Sequence, residues 1–282
     1  MRTEFPASRV VFRSGLAWLP ASAECMRGGL RPLAAIAALW LAISLVAVIP
    51  LVGQTVLALI TPLLTGGVML AFDRLGEGKT PPPGTLVAAW KDPARRFSLL
   101  ALGIFAMMGG LLAAVVLVSW LSNQIGTDAL EAAVQSPDAM AQALSGASLG
   151  GGLLGAGLVM AVVLAGLYFA IPLVMFGKAR ALPAIAASLG AVLKNWLAFL
   201  GFAIAAFAVA TGLLIVLMLT STVLTLALGN FGSLIVQVLM LIAMMLFQIL
   251  MAGAQYLAFS EVFGWSPGLE DSTGNDDDSL LP

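Results

Sequence analysis

Leu33–Phe72 reads LAAIAALWLAISLVAVIPLVGQTVLALITPLLTGGVMLAF, 40 residues without a charge. One helical crossing of a bilayer takes about 20 apolar residues, so the run has the length of two. Pro50 and Gly53-Gln54 supply the turn between them. Thr61-Pro62 and Thr65-Gly66-Gly67 are expected to interrupt the second helix. A re-entrant hairpin would return the chain to the same side as a spanning pair. Both arrangements stay open here, and length favours two crossings.

The rest of the chain repeats this character. Of its 282 residues, 61% are hydrophobic and 10% charged, against about 25% charged in a soluble domain. The fold class expected is all-α, a polytopic membrane bundle of six transmembrane helices with cytoplasmic amphipathic surface helices. Residues 97–121 give the third span, 149–177 the fourth, a run from Leu197 the fifth, and Leu234–Phe259 the sixth. Asn230-Phe231-Gly232-Ser233 is expected as the last turn. In domain terms, residues 1–32 read as a cytoplasmic amphipathic segment, 33–260 as the six-helix transmembrane domain and 261–282 as an acidic disordered tail.

All 13 Lys and Arg fall in three blocks: Arg2–Arg31, Arg74–Arg96 and Lys178–Lys194. The 122–148 loop carries Asp128, Glu131 and Asp138 but no cation. The positive-inside rule therefore places the three basic blocks and both termini in the cytoplasm. No cleavable signal peptide is apparent, because the first apolar run follows five arginines without a small-residue cleavage site. The location expected is the bacterial inner membrane.

Each basic block also holds an amphipathic stretch ahead of an apolar hairpin. Phe12, Leu16, Leu19, Ala23, Met26 and Leu30 share one helical face; Pro20 is expected to divide it into two pieces. Leu182, Ile185, Leu189, Val192 and Trp196 repeat the pattern, and Leu86, Ala89 and Trp90 give a shorter version ended by Asp92-Pro93. A threefold plan of surface helix plus hairpin is one reading. The plainer one is that any basic loop beside a membrane looks amphipathic. Such helices are expected to lie in the headgroup layer.

Several chemistries are poorly served. Histidine is absent and Cys25 is the one cysteine, which removes the commonest general base, a disulfide and a zinc cluster. Gly78-Lys79-Thr80 imitates the end of a phosphate loop, but position 73 is Asp and three prolines follow. Met240, Met244, Met245 and Met251 read as core filling. No cofactor, no metal and no enzymatic activity are expected. A net charge of −1 offers nucleic acid no attraction. The partners expected are membrane lipids, together with a membrane-protein partner or a second copy.

Two groups of residues stand out. Lys91, Arg95, Arg96, Lys178, Arg180 and Lys194 sit at helix mouths beside Trp90 and Trp196 and are candidates for lipid headgroups. Gln237, Gln248 and Gln255, spaced by 11 and 7 in the sixth helix, form a stripe expected to face the bundle. It fixes helix packing or lines a polar path. Small residues at Ala106, Gly110 and Ala114, and at Gly151, Gly155, Gly157, Ala161 and Ala165, are expected to let helices approach closely. Pro172 should kink the fourth helix. The role these features suggest is a structural, lipid-interacting or accessory membrane component. The alternative is a transporter or flippase of neutral or amphiphilic solutes, suggested by the breaks at Pro62 and Pro172 and by the glutamine stripe.

Ser8–Leu33, Pro62–Gly103, Tyr168–Leu200 and the closing YLAFSEVFGW of Tyr256–Trp265 together resemble an uncharacterised family of six-helix inner-membrane proteins of Gram-negative bacteria. More distantly, the basic helix, Trp and apolar hairpin are similar to the membrane domain of some glycerophosphodiester phosphodiesterases. The resemblance implies location and helix count, and no activity or catalytic residue.

Overall fold

The computed structural model describes residues 5–136, 138–139, 141, 145 and 148–267. The described residues form helices joined by short loops, with no strand among them. In chain order these are α1 (Phe12–Gly28), α2 (Leu30–Ser44), α3 (Val52–Gly76), α4 (Pro93–Ile125), α5 (Thr127–Gln135), α6 (Gly150–Tyr168), α7 (Ala170–Met175), α8 (Ala181–Lys194), α9 (Trp196–Leu228) and α10 (Asn230–Phe263). Two 3-10 segments complete the set: Leu45–Val48 extends α2, and Pro83–Lys91 precedes α4. The acidic tail lies outside the described residues beyond Pro267.

Six helices are long and apolar enough to cross a bilayer, and the chain is an all-α polytopic bundle. The first, Leu30–Val48, has 19 residues, about 30 Å and one hydrocarbon thickness. The longest, α4, α9 and α10, have 33 or 34 residues, about 50 Å. They begin earlier than hydropathy suggests, α4 because a polar cap extends it. Asp92 accepts from the Ala94 and Arg95 amides at 2.9 and 3.5 Å, starting α4 at Pro93. The last turn is shorter than expected, Gly229 alone at φ 58°, with Asn230 already helical.

The order surface helix, hairpin occurs three times. A single non-helical residue joins each pair: Gly29 between α1 and α2, Asp92 before α4, and Asn195 between α8 and α9. Each surface helix docks on the hairpin of the preceding unit in cyclic order. The 83–91 segment packs on α2 and α3, α8 on α6 and α7, and α1 on α9 and α10. Seven residues before each joint stands a buried hydroxyl: Ser22, Thr85 and Ser188. The docked helices meet glycine where they cross. A Cβ on Gly67 of α3 would lie 2.0 Å from the Leu86 carbonyl oxygen, one on Gly15 of α1 would lie 1.8 Å from that of Ala198, and one on Gly166 of α6 would lie 3.4 Å from Ile185.

Docked in this way, α1 does not leave its whole apolar face to a headgroup layer. Its Trp18 and Leu19 are 3% and 1% exposed, buried against protein. Nor does Pro20 divide it. The proline is exposed, and α1 runs unbroken through it. Likewise α3 continues through Pro62. Thr61 and Thr65 donate to the carbonyls four residues back, at 2.7 and 2.9 Å, and support the turn around the proline. Gly66 and Gly67 give close packing there and no break.

Pro172 acts where expected, and its effect falls upstream. The helix breaks at Phe169, between α6 and α7. A proline removes the donor to the carbonyl four residues earlier, here that of Tyr168. Gln255 on α10 replaces it, donating its Nε2 to the Tyr168 carbonyl. One step away, Ser188 is inserted into the ladder. Its hydroxyl accepts from the Phe169 amide at 2.9 Å and donates to the Ala165 carbonyl at 2.6 Å. The kink is thus satisfied from two other elements.

Away from this end the hairpin of α9 and α10 separates from the other two. None of residues 203–231 or 233–244 is buried, and α9 packs chiefly on α1 and α10. The core is therefore concentrated at the basic end, where Trp18, Phe169, Phe176, Tyr256 and Phe259 are buried.

Gly67→Leu is expected to destabilise the protein by about 1–3 kcal/mol or more through overpacking, read by thermal unfolding in detergent. Gly157→Leu, with open space around its Cβ, should stay within about 0.5 kcal/mol. By the same measurement Ser188→Ala should cost about 1–3 kcal/mol by orphaning the Phe169 amide and the Ala165 carbonyl. Ser260→Ala, which removes only a local bond to the Tyr256 carbonyl, should change little.

Candidate functional site

Two regions draw together the residues singled out by sequence. The first is a belt at the basic end. Lys91 closes the 83–91 segment, Arg95 and Arg96 open α4, Lys178 and Arg180 lie between α7 and α8, and Lys194 closes α8. Lys91, Lys178, Arg180 and Lys194 are exposed. Arg96 lies 4.9 Å from the Phe97 ring and 6.0 Å from that of Trp90, within cation–π range. Trp90, Phe97 and Trp196 are 50%, 63% and 60% exposed, so aromatic rings and cations alternate along the surface.

Some of these cations are also structural. Arg95 pairs with Asp92 at 3.3 Å. Lys194 donates to the Ala7 carbonyl, and next to it the buried Asn195 holds the extended N-terminal segment. The Asn195 Oδ1 accepts from the Val10 amide at 2.8 Å, and its Nδ2 donates to the Ser8 carbonyl at 3.0 Å. The Ser8 amide in turn donates to the Val262 carbonyl, closing the ring of units at the end of α10.

Sequence reasoning missed two carboxylates that the same end secures. Asp73 is 6% exposed and accepts from the Tyr256 hydroxyl at 2.7 Å and the Trp265 Nε1 at 3.1 Å. Glu261 accepts from the Ser14 hydroxyl at 2.6 Å and the Trp18 Nε1 at 2.8 Å. Each sits in the last turns of a span, where hydropathy averages it away. Both hold tryptophan N–H groups that would otherwise be left unpaired on burial. Cys25 is exposed on α1. Partial burial, then the Glu24 carboxylate, push its thiol pKa up, which keeps it protonated.

The second region is a groove of about 910 Å³ at the level of the spans. Its walls come from all three hairpins: Thr61, Pro62 and Thr65 of α3; Ala106, Met107 and Gly110 of α4; Ala161, Leu164 and Tyr168 of α6; Phe199, Phe202 and Ala203 of α9; and Met251 and Gln255 of α10. No Asp, Glu, Lys or Arg lines it. Ala106 and Gly110, expected to serve close packing, instead leave this space open; a Cβ on Gly110 would touch nothing within 4 Å. Close packing of α4 on α6 falls to Gly109 against Val163 and to Gly151 and Gly152 against Trp120.

Below the groove an aromatic layer closes the way to the basic end. Tyr168 meets Phe199 edge-on at 4.8 Å and Phe202 at 5.8 Å, and Trp18 lies beneath both at 5.8 and 6.0 Å. The Tyr168 hydroxyl is buried without a hydrogen-bond partner among the described residues. Leaving such a group unpaired costs roughly 1–3 kcal/mol. Pro62 has no N–H, so the Ala58 carbonyl on the groove wall lacks its usual helical donor.

The glutamine stripe does not act as one unit. Gln255 reaches the Tyr168 carbonyl and lines the groove. Gln248 is half-buried and Gln237 is exposed, because α10 leaves the other hairpins along its first half. Among the described residues no three His, Cys, Asp or Glu side chains gather where they would hold a metal ion. No family model, curated protein or solved structure matches the chain.

Proposed function

We propose that this chain is a non-enzymatic, lipid-interacting component of a bacterial inner membrane, with its basic end and both termini in the cytoplasm. The observation that carries the reading is the belt of exposed Trp90, Phe97 and Trp196 interleaved with Lys91, Arg96, Arg180 and Lys194. Tryptophan favours the membrane–water interface, and each nearby cation contributes about 1 kcal/mol toward anionic lipid. Three docked surface helices hold these side chains on a rigid collar, so the charges need little ordering on binding.

The groove favours a second reading, a transporter or flippase of neutral or amphiphilic solutes. Its uncharged lining suits such a solute. The layer of Trp18, Tyr168, Phe199 and Phe202 closes it from the basic end, so this reading requires that layer to open.

In nanodiscs containing phosphatidylglycerol, the triple variant Lys91→Gln, Arg96→Gln, Arg180→Gln is expected to lose about 3 kcal/mol of preference for the anionic lipid. Native mass spectrometry of the lipids retained on ejection reads this loss. Retention equal to that of the unmodified protein contradicts the proposed role of the belt. Movement of a neutral fluorescent lipid between leaflets of reconstituted vesicles, abolished by Gly110→Leu, would replace this reading with the second.

A further inference from the structure

We infer that the groove between the three hairpins is a binding site for one neutral, hydroxyl-bearing long-chain lipid that enters sideways from the bilayer. The inference rests on the membrane-embedded reading, and on neither the headgroup belt nor transport.

Its occupant is constrained from three sides. The walls are apolar and uncharged, so a phosphate or carboxylate headgroup would arrive without a counter-charge in low dielectric. The Tyr168 hydroxyl is a buried donor without a partner, on a residue lining the groove. Ala58 also lines the groove, and its carbonyl, freed by Pro62, is an acceptor without its helical donor. A hydroxyl is an uncharged group that can do either, accepting from a phenol or donating to a carbonyl. Access follows from the packing. The hairpin of α9 and α10 stands apart from that of α4 and α6, and Met107 and Ala203 are exposed along the gap. The space, about 910 Å³, lies within the range of small-molecule sites.

The walls of the site are also built to stay open. Gly110 and Ala106 withhold side chains from it while the neighbouring Gly109 brings α4 and α6 together. Thr61 and Thr65 turn their hydroxyls back onto their own helix, which leaves that of Tyr168 as the unpaired hydroxyl among the lining residues.

The test uses the whole chain in nanodiscs with a diacylglycerol probe carrying a diazirine in one acyl chain. Cross-links are mapped by peptide mass spectrometry. The expected result is saturable labelling of the α3, α4 and α6 walls, competed by unlabelled diacylglycerol and at least tenfold less by phosphatidylglycerol. Gly110→Leu fills open space, so it should fold with unchanged thermal unfolding and lose most of the labelling. Tyr168→Phe should weaken competition several-fold while keeping or raising thermal stability. Labelling that does not saturate, or that spreads equally over the exposed face of α9, overturns the site. Equal competition by phosphatidylglycerol overturns the neutral class of ligand, and unchanged affinity in Tyr168→Phe overturns the role of the hydroxyl. Substituting the belt cations should leave all these readouts unmoved, so failure here and failure of the headgroup role remain distinguishable.

Discussion

The docking of each surface helix on the hairpin before it is the contact on which the rest of the structure depends. Helices in hydrocarbon gain little from burying apolar surface against one another, because lipid solvates that surface equally well. Association has to come from close packing and from polar groups that lipid cannot satisfy. Both occur at the crossings. Gly15 and Gly67 admit a neighbouring backbone, and Ser22 and Ser188 donate to the carbonyls of Leu250 and Ala165. The ring closes where the Ser8 amide meets the Val262 carbonyl. Six spans are thereby gathered at one end.

The same constraint explains the groove. Because the hairpin of α9 and α10 is joined to the others at the basic end and diverges beyond it, space opens between them at the depth where the collar stops. The aromatic layer of Trp18, Tyr168, Phe199 and Phe202 is both the top of the collar and the floor of that space. Structural and ligand-facing roles therefore meet in Tyr168, whose carbonyl is held by Gln255 and whose hydroxyl is left unpaired.

Fold class, span count and the grouping of basic residues were legible in the sequence because they depend on composition over twenty residues or more. Local breakers were less reliable guides. Pro20 and Thr61-Pro62 look like interruptions, yet both helices continue, the first with its proline exposed and the second with threonine hydroxyls bonded along the affected turns. Pro172 does break its helix, three residues upstream, because a proline acts on the turn before it. The partner of Gln255 is a backbone carbonyl 87 residues away, which no spacing within α10 points to. Of the candidate site, the cations were visible as charges and the groove was not. Its walls come from all three hairpins, and a small residue such as Gly110 looks the same whether it packs or leaves space. One signal was present and readable: a hydroxyl residue seven positions before each joint, at Ser22, Thr85 and Ser188.

Pulsed electron–electron distance measurement tests the central claim, that the hairpin of α9 and α10 is held to the others at the basic end alone. Spin labels at Lys91 and Leu193 report on the collar, and labels at Ser122 and Leu226 on the far ends of α4 and α9, with Cys25 replaced by serine. The account predicts a narrow distribution for the first pair and a distribution several-fold broader for the second, because no packing restrains the far ends relative to each other. Equally narrow distributions would contradict it.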